Sequence, residues 1–289
     1  MTVITRFAIT RFAPSPTGHL HLGHVYAAWQ ARRQANDGHF LLRIEDIDTT
    51  RCRPEWSAAL LEDLGWLGFE WQQPVRIQSK HMAEYSQALE NLRSEGLLYP
   101  CFCTRAAITR EIAEATRAPH SPDGMPLYPG TCRSLSPAER EARLAAGEAC
   151  AWRLDMQAAL CRLSHPLERI EHGIRFPCYP ERFGDVVLAR KDVPASYHLC
   201  AAHDDAVQGV TLVTRGEDLL AATDLHRLLQ TLFGWPEPAY AHHGLLKGAD
   251  GHRLAKRDSA LTVRSLRENG ACPQDIMERI RKADIVSQP

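Results

Sequence analysis

An α/β fold built on a parallel sheet, interrupted along the chain by an insertion, is predicted by three observations. Residues 7–12 read as a short strand that runs into a Pro- and Gly-rich turn closing on His21-Leu22-Gly23-His24. Helix-forming residues follow from 25 to 35, stopped by Asp37-Gly38, and residues 40–44 form a second apolar strand broken only by Arg43. Strand, turn, helix and strand in that order open a parallel α/β unit, whose ligands bind beyond the carboxyl ends of the strands.

The turn explains why a ligand belongs there. Pro16, Thr17, Gly18 and Gly23 are small enough for backbone to approach a bound group, and a helix N-terminus carries unpaired N–H groups and partial positive charge. A triphosphate suits such a turn. His21 and His24, three residues apart, fall on one helix face and could stabilise charge developing on the phosphates. Taken alone, paired histidines on a helix are more often surface or satisfied core residues.

Further along, residues 55–67 and 82–98 carry apolar residues at helical spacing, and Tyr99-Pro100 opens a segment of different character. From Cys101 to about Asp192 lie clustered cysteines, Pro-rich loops and a charged helical stretch at 137–148, with no second nucleotide-binding turn. This reads as an insertion. The α/β pattern resumes around Tyr197 and 207–213, residues 223–233 read as an amphipathic helix, and 269–289 as a short helical end. The expected division is 1–98 for the first half of the catalytic domain, 99–192 for the insertion, 193–245 for the second half, and 246–289 for a basic loop with a helical end.

Composition narrows the function classes. A chain of 289 residues buries roughly three quarters of its unfolded surface, so its core needs no disulfide staples. Nine cysteines, an odd number, argue against a paired framework and for a reducing compartment, the cytoplasm. No apolar run approaches the ~20 residues of a membrane span, so no membrane partner is expected. With 34 Lys and Arg against 35 Asp and Glu, any nucleic-acid contact must come from local basic patches.

Arg11-Phe12-Ala13-Pro14-Ser15-Pro16-Thr17-Gly18 together with His21-Leu22-Gly23-His24 resembles the signature of class I aminoacyl-tRNA synthetases of the glutamyl and glutaminyl branch. Three later segments are similar to that branch and stand in its order. They are Arg43-Ile44-Glu45-Asp46-Ile47-Asp48, Val193-Pro194-Ala195-Ser196-Tyr197-His198-Leu199 and Thr214-Arg215-Gly216-Glu217-Asp218-Leu219. A fourth, His252-Arg253-Leu254-Ala255-Lys256-Arg257, is similar to the second class I signature in degenerate form, with Arg253 and Ala255 replacing its first lysine and its serine.

The resemblance implies a class I synthetase-type Rossmann fold and assigns roles. Arg11, Ser15, Glu45, Tyr197 and Arg215 would line an L-glutamate pocket; His21, Gly23, His24 and Lys256 would bind ATP, which enters with Mg2+. His21, His24 and Lys256 would stabilise charge as pyrophosphate leaves. Glutaminyl relatives lack an arginine where Arg215 stands, which points to glutamate, because a buried guanidinium facing a neutral amide loses its counter-charge.

Cys101-x-Cys103 and Cys132 remain. Three thiolates need a fourth donor for tetrahedral zinc, and by spacing alone they are as compatible with buried thiols as with a metal; His120 is one candidate donor. Cys-x-Cys followed by Tyr128-x-x-x-Cys132 is similar to the zinc site of the glutamyl-queuosine tRNA(Asp) synthetases, which implies Tyr128 as fourth ligand and one structural Zn2+. Only about thirty residues follow the basic loop, too few for an anticodon-binding domain. The expectation is therefore a monomeric ligase that transfers glutamate to the queuosine base of tRNA(Asp). The rivals are a small glutamyl-tRNA synthetase charging a tRNA 3′ end, and a silent tRNA-binding paralogue.

Overall fold

Residues 8–104, 106–108, 120–124, 126–246 and 262–287 are described by a computed structural model. Strand β1 (Ile9–Phe12) leads through the turn into helix α1 (Leu22–Ala35), and strand β2 (His39–Ile44) returns parallel to β1, with Ile9 opposite His39 and Phe12 opposite Leu42. Helix α2 (Pro54–Trp66) starts with proline in its first turn, where the missing N–H costs nothing, and strand β3 (Gln72–Ile77) joins β2 in parallel. The expected strand, helix and strand thus form in order, the two strands within two residues of the expected bounds and α1 starting three residues early, at Leu22.

Helix α3 (Met82–Ser94) is shorter than the 82–98 read from its spacing. Gly96 takes a left-handed φ of 73° and the Leu97 N–H returns to the Leu92 carbonyl, which ends the helix; Leu98 then opens strand β4 (Leu98–Cys101). Leu97 and Leu98 continue the buried face, but Leu97 lies beyond the helix and Leu98 belongs to a strand, an ambiguity that periodicity alone does not resolve.

Helix α4 (Pro137–Ala145) begins at Ser136, whose hydroxyl accepts from the Glu139 N–H while the Glu139 carboxylate accepts from the Ser136 N–H. Strand β5 (Ala151–Leu154) and helix α5 (Met156–Leu160) follow, then a hairpin of strands β6 (Glu168–Glu171) and β7 (Ile174–Pro177), and strand β8 (Val187–Ala189). Strands β4, β5 and β8 make an antiparallel sheet of their own. The segment expected as an insertion is therefore not wholly separate, because β6 leaves this sheet to pair elsewhere.

Its partner is in the second half of the split sheet. Helix α6 (Tyr197–Val207), strand β9 (Leu212–Gly216), helix α7 (Ala222–Phe233) and strand β10 (Ala239–His243) complete it, with β9, β10 and β6 parallel in that order and β7 at the edge. The two halves meet where Ile9 donates to the Thr211 hydroxyl at 2.9 Å and the Thr211 N–H donates to the Ile9 carbonyl at 3.0 Å. Helices α8 (Val263–Glu268) and α9 (Pro273–Ser287) close the chain.

Two apolar clusters hold this arrangement. One joins Val25, Leu42 and Leu64 to Val263 and Ile276, and the other joins Leu154 and Leu188 to Leu225, Leu228 and Leu229; all of these are essentially fully buried. Each such side chain contributes roughly 1.5–3 kcal/mol relative to exposure. The C-terminal helix is fixed by Asp284, which accepts from the Tyr26 hydroxyl at 2.8 Å and pairs with Arg33 at 2.9 Å.

Candidate active site

The first signature turn caps α1. His21 is the N-cap; its Nδ1 accepts from the Gly23 N–H at 3.1 Å, and His24 Nδ1 accepts from the His21 N–H at 3.3 Å. Both Nδ1 atoms are acceptors, so in the neutral rings the proton sits on Nε2. The rings stack with centroids 3.7 Å apart, and a Cβ at Gly23 would meet the His21 ring at 3.0 Å. The helix starts at Leu22, and His21 therefore occupies the cap rather than the helix face expected from the spacing; the Gly23 N–H is given to His21 instead of being left for an anion.

The second signature, with Arg253, Ala255 and Lys256, lies outside the described residues. Thr262, just past it, forms a backbone bridge with His21, and the Val263 N–H donates to the Leu20 carbonyl at 2.8 Å. The chain thus re-enters the described fold against the histidine turn.

Behind the turn, the carboxyl ends of β1 and β2 carry a buried charged cluster. Arg11 donates from Nε to Asp205 at 2.8 Å and from NH1 to the Thr214 carbonyl at 3.0 Å, tying the two halves of the split sheet together. Arg43 is fully buried and binds Glu45 at 3.1 Å and Asp205 at 2.7 Å. Arg76 binds Asp204 at 2.9 Å, and Gln78 and Tyr85 also donate to Asp204. Burial opposes ionisation of Asp205, yet Arg11 and Arg43 outweigh it and hold the carboxyl below its usual range. Glu45 goes the other way, because burial raises it more than Arg43 and Arg11 lower it.

Arg215, at the carboxyl end of β9, has a different environment. Its NH2 donates to the Thr223 hydroxyl at 2.7 Å, NH1 to His226 Nδ1 at 3.1 Å and to the Tyr197 hydroxyl at 3.5 Å, and Nε to His242 Nε2 at 3.3 Å. Every one of these acceptors is neutral, and among the described residues no carboxylate pairs with this buried guanidinium. Glu171 fixes the tautomer of His242 by accepting from its Nδ1 at 2.7 Å, and His226 Nε2 faces His198 Nδ1 at 3.2 Å. Burial, then the adjacent Arg215 charge, pushes His198 and His242 down to about 4, and lowers His226 well below its ordinary value.

Arg11, Glu45, Tyr197 and Arg215 are therefore gathered at one end of the sheet, whereas Ser15 is exposed on the turn. The sequence reading missed Arg43, Asp204, Asp205, Thr223, His226 and His242. Arg43 carried a usable signal, since a lone charge inside an apolar strand must be paired when buried. The histidines carried none, because contacts between α7, β9 and β10 set their role.

Cys101, Cys103 and Cys132 form one group, with all three sulfurs within 4.8 Å of one another. Cys103 Sγ lies 3.5 Å from Cys132 Sγ and 3.6 Å from the Tyr128 hydroxyl, which accepts from the Cys132 N–H at 2.8 Å. A tetrahedron of ~2.3 Å metal–sulfur bonds sets its donors roughly 3.8 Å apart, so this donor set fits a metal. Burial opposes ionisation of Cys132, yet the Tyr128 hydroxyl and the Phe102 N–H, which donates to its Sγ at 3.4 Å, hold this thiol below its ordinary value, whereas burial pushes the Tyr128 hydroxyl up. Arg153 lies 3.8 Å over the Tyr128 ring. His120, the other candidate donor, is exposed and bridged to Pro126, away from the three sulfurs.

Among the described residues no helix is long and apolar enough to cross a membrane. Residues 8–287 match the family of class I tRNA synthetases (E and Q), catalytic domain. The chain is similar to a glutamyl-Q tRNA(Asp) synthetase of Rhodobacter capsulatus, 47% identical over 94% of this chain and 99% of that one, and to a glutamate–tRNA ligase 2 of Nitrosococcus oceani, 39% identical over 92% of this chain and 57% of the relative. A solved glutamate tRNA ligase from Elizabethkingia meningosepticum, in complex with its amino acid, superposes with a TM-score of 0.77 at 27% identity over 94% of this chain, which spans 60% of that protein. With its paired signature turn, split parallel sheet and full-length match, the chain belongs to the glutamyl and glutaminyl branch of the class I tRNA synthetases.

Proposed function

We propose that the protein activates L-glutamate with ATP and transfers it to the queuosine base in the anticodon of tRNA(Asp). The observation that carries the amino acid assignment is Arg215, a buried guanidinium surrounded by neutral acceptors, in the same site as Glu45, a buried carboxylate. A buried unpaired charge is costly, and a ligand carboxylate removes the cost. The glutamate side chain would pair with Arg215 and its ammonium with Glu45, each a charge-assisted bond of roughly 1.5–3 kcal/mol. Arg11 and Tyr197 complete the pocket, with Ser15 on the turn beside it.

In the first step the glutamate α-carboxylate attacks the α-phosphate of ATP, which arrives with Mg2+, and pyrophosphate leaves. His21 and His24 carry Nε2 protons able to stabilise the phosphates, and the backbone at Gly23 stays narrow enough for close approach. Lys256 is assigned the same role from the second signature. In the second step a hydroxyl of the queuosine cyclopentenediol attacks the activated carbonyl and AMP leaves. Positioning and charge stabilisation carry both steps.

Cys101, Cys103, Tyr128 and Cys132 would hold Zn2+, whose contribution is to cross-link the loops around β4. The acceptor assignment draws on this cluster and on the 47% identity to the Rhodobacter glutamyl-Q relative. Cytoplasmic residence follows from the same reading, and all nine cysteines are free.

Labelled glutamate offered with tRNA(Asp) and tRNA(Glu), each with and without queuosine, decides the acceptor. Label on queuosine-bearing tRNA(Asp) alone is expected; label on unmodified tRNA(Glu) overturns the assignment in favour of ordinary charging. Glutamate-dependent ATP–pyrophosphate exchange separates an enzyme from a silent tRNA-binding paralogue.

A further inference from the structure

The described residues expose few large apolar side chains, and three of them, Ile174, Phe176 and Tyr179, lie on one short stretch at the β6–β7 hairpin. The hairpin is tight: His172 and Gly173 both have positive φ, 49° and 78°, as a two-residue type I′ turn requires, with Glu171 paired to Ile174. Ile174 and Phe176 are two residues apart and so share a face of β7, the edge strand of the sheet.

Each exposed ring carries a guanidinium. Arg169 lies over Phe176 at 5.1 Å and Arg182 over Tyr179 at 4.5 Å. Arg182 is exposed, and among the described residues it pairs with no carboxylate, so its charge remains available. Aromatic rings that stack bases, interleaved with cations that neutralise phosphate, are what a single-stranded nucleic acid recognises.

The hairpin is also placed at the active site. Strand β6 runs parallel to β10, so its turn projects from the same carboxyl edge as Arg215 and His242. Glu171, beside the turn, accepts from His242, which in turn accepts from Arg215. The Tyr179 N–H donates to Asp224 at 2.9 Å, on the helix that supplies Thr223 and His226. The hairpin and the Tyr179 turn are thus hydrogen-bonded, through Glu171 and the Tyr179 N–H, to the strand and the helix that supply the partners of Arg215.

We propose that the β6–β7 hairpin and the Tyr179 turn form the docking surface for the single-stranded loop of the RNA acceptor, with Phe176 and Tyr179 stacking on its unpaired bases and Arg182 meeting its phosphates. This rests on the RNA acceptor proposed above. A second copy of the chain adding to the β7 edge is the competing occupant.

The test measures binding of a synthetic anticodon stem-loop of tRNA(Asp), and glutamate transfer to whole tRNA(Asp), for Phe176→Ala, Tyr179→Ala and Arg182→Ala beside the parent. Each ring variant should weaken stem-loop binding about tenfold. Arg182→Ala should lower the slope of log affinity against log salt by about one. Glutamate-dependent ATP–pyrophosphate exchange and Tm should stay at parent values, since all three residues are exposed and outside the pocket. Unchanged stem-loop binding in all three variants overturns the surface, as does a parent dimer in light scattering that the ring variants turn into monomer. The acceptor itself is judged on the parent alone, and the surface on the ratio of variant to parent with whichever tRNA the parent uses, so one can fail without the other.

Discussion

Asp205 grips Arg11 at two points, Nε to Oδ1 at 2.8 Å and NH2 to Oδ2 at 3.3 Å, while also taking NH1 of Arg43 at 2.7 Å. One carboxylate from α6 therefore neutralises two buried arginines from β1 and β2, one in each of two strands of the other half-sheet. Asp205→Asn keeps the shape and removes the charge, leaving two guanidinium groups buried with less compensation. We expect a loss of about 3–5 kcal/mol in urea unfolding, the range for breaking a buried ion pair from one side. A loss under about 1 kcal/mol, the value of an exposed pair, would show that the cluster is solvated.

Arg215→Gln separates recognition from folding. The four neutral acceptors around Arg215 keep hydrogen-bond partners among themselves or with the amide, so stability should change little. Glutamate loses its cationic partner, and glutamate-dependent ATP–pyrophosphate exchange should fall on the order of 10⁴-fold, the low end of the range by which a site rejects a ligand lacking its polar partner. The loss should be in KM for glutamate and in kcat, with KM for ATP near the parent value. Parent-level exchange would remove Arg215 from the pocket.

The reach of the sequence differed between these two residues. Arg215 was legible through its place before Gly216 and its resemblance to a known motif, and the parallel unit was legible because strand and helix periods alternate over short, well-punctuated segments. Asp205 was not, because a carboxylate on an amphipathic helix reads as solvated until the opposing strands are known. The β6–β10 pairing was hidden for a similar reason: it joins residues about seventy positions apart with a single register pair, Tyr240 opposite Glu171, and no local pattern encodes that.

Acid should weaken the fold and the pocket together. Burial pushes His198 and His242 down to about 4 in the folded protein from near 6.5 once unfolded, and His226 is also lowered well below its ordinary value. Between those values the unfolded chain binds more protons than the native one, so the contribution of these rings to stability is complete above pH 6.5 and is lost progressively as pH falls toward 4. Protonation would also place imidazolium charge against Arg215. Thermal scans from pH 7.5 to 4.5 should give a falling Tm, and His242→Gln, which keeps a neutral acceptor, should flatten part of that fall. A parent Tm independent of pH across this window would mean that the rings are already charged or solvated.

Metal content provides a check on the cysteine cluster that does not depend on activity. If Tyr128 is the fourth ligand, Tyr128→Phe removes one oxygen donor while retaining the ring that packs under Arg153, so the variant should fold yet hold zinc less tightly. Second donors matter here because three thiolates alone leave one tetrahedral position open to water and to chelators. Cys132→Ser removes both a thiolate and the sulfur that accepts from the Phe102 N–H, and should cost more than the tyrosine change. Elemental analysis after dialysis against a mild chelator should give about one zinc per parent chain, less in Tyr128→Phe and least in Cys132→Ser. Equal zinc in Tyr128→Phe and the parent would remove Tyr128 from the ligand set and leave its hydroxyl as a hydrogen-bond partner of the Cys132 N–H and of Cys103 Sγ.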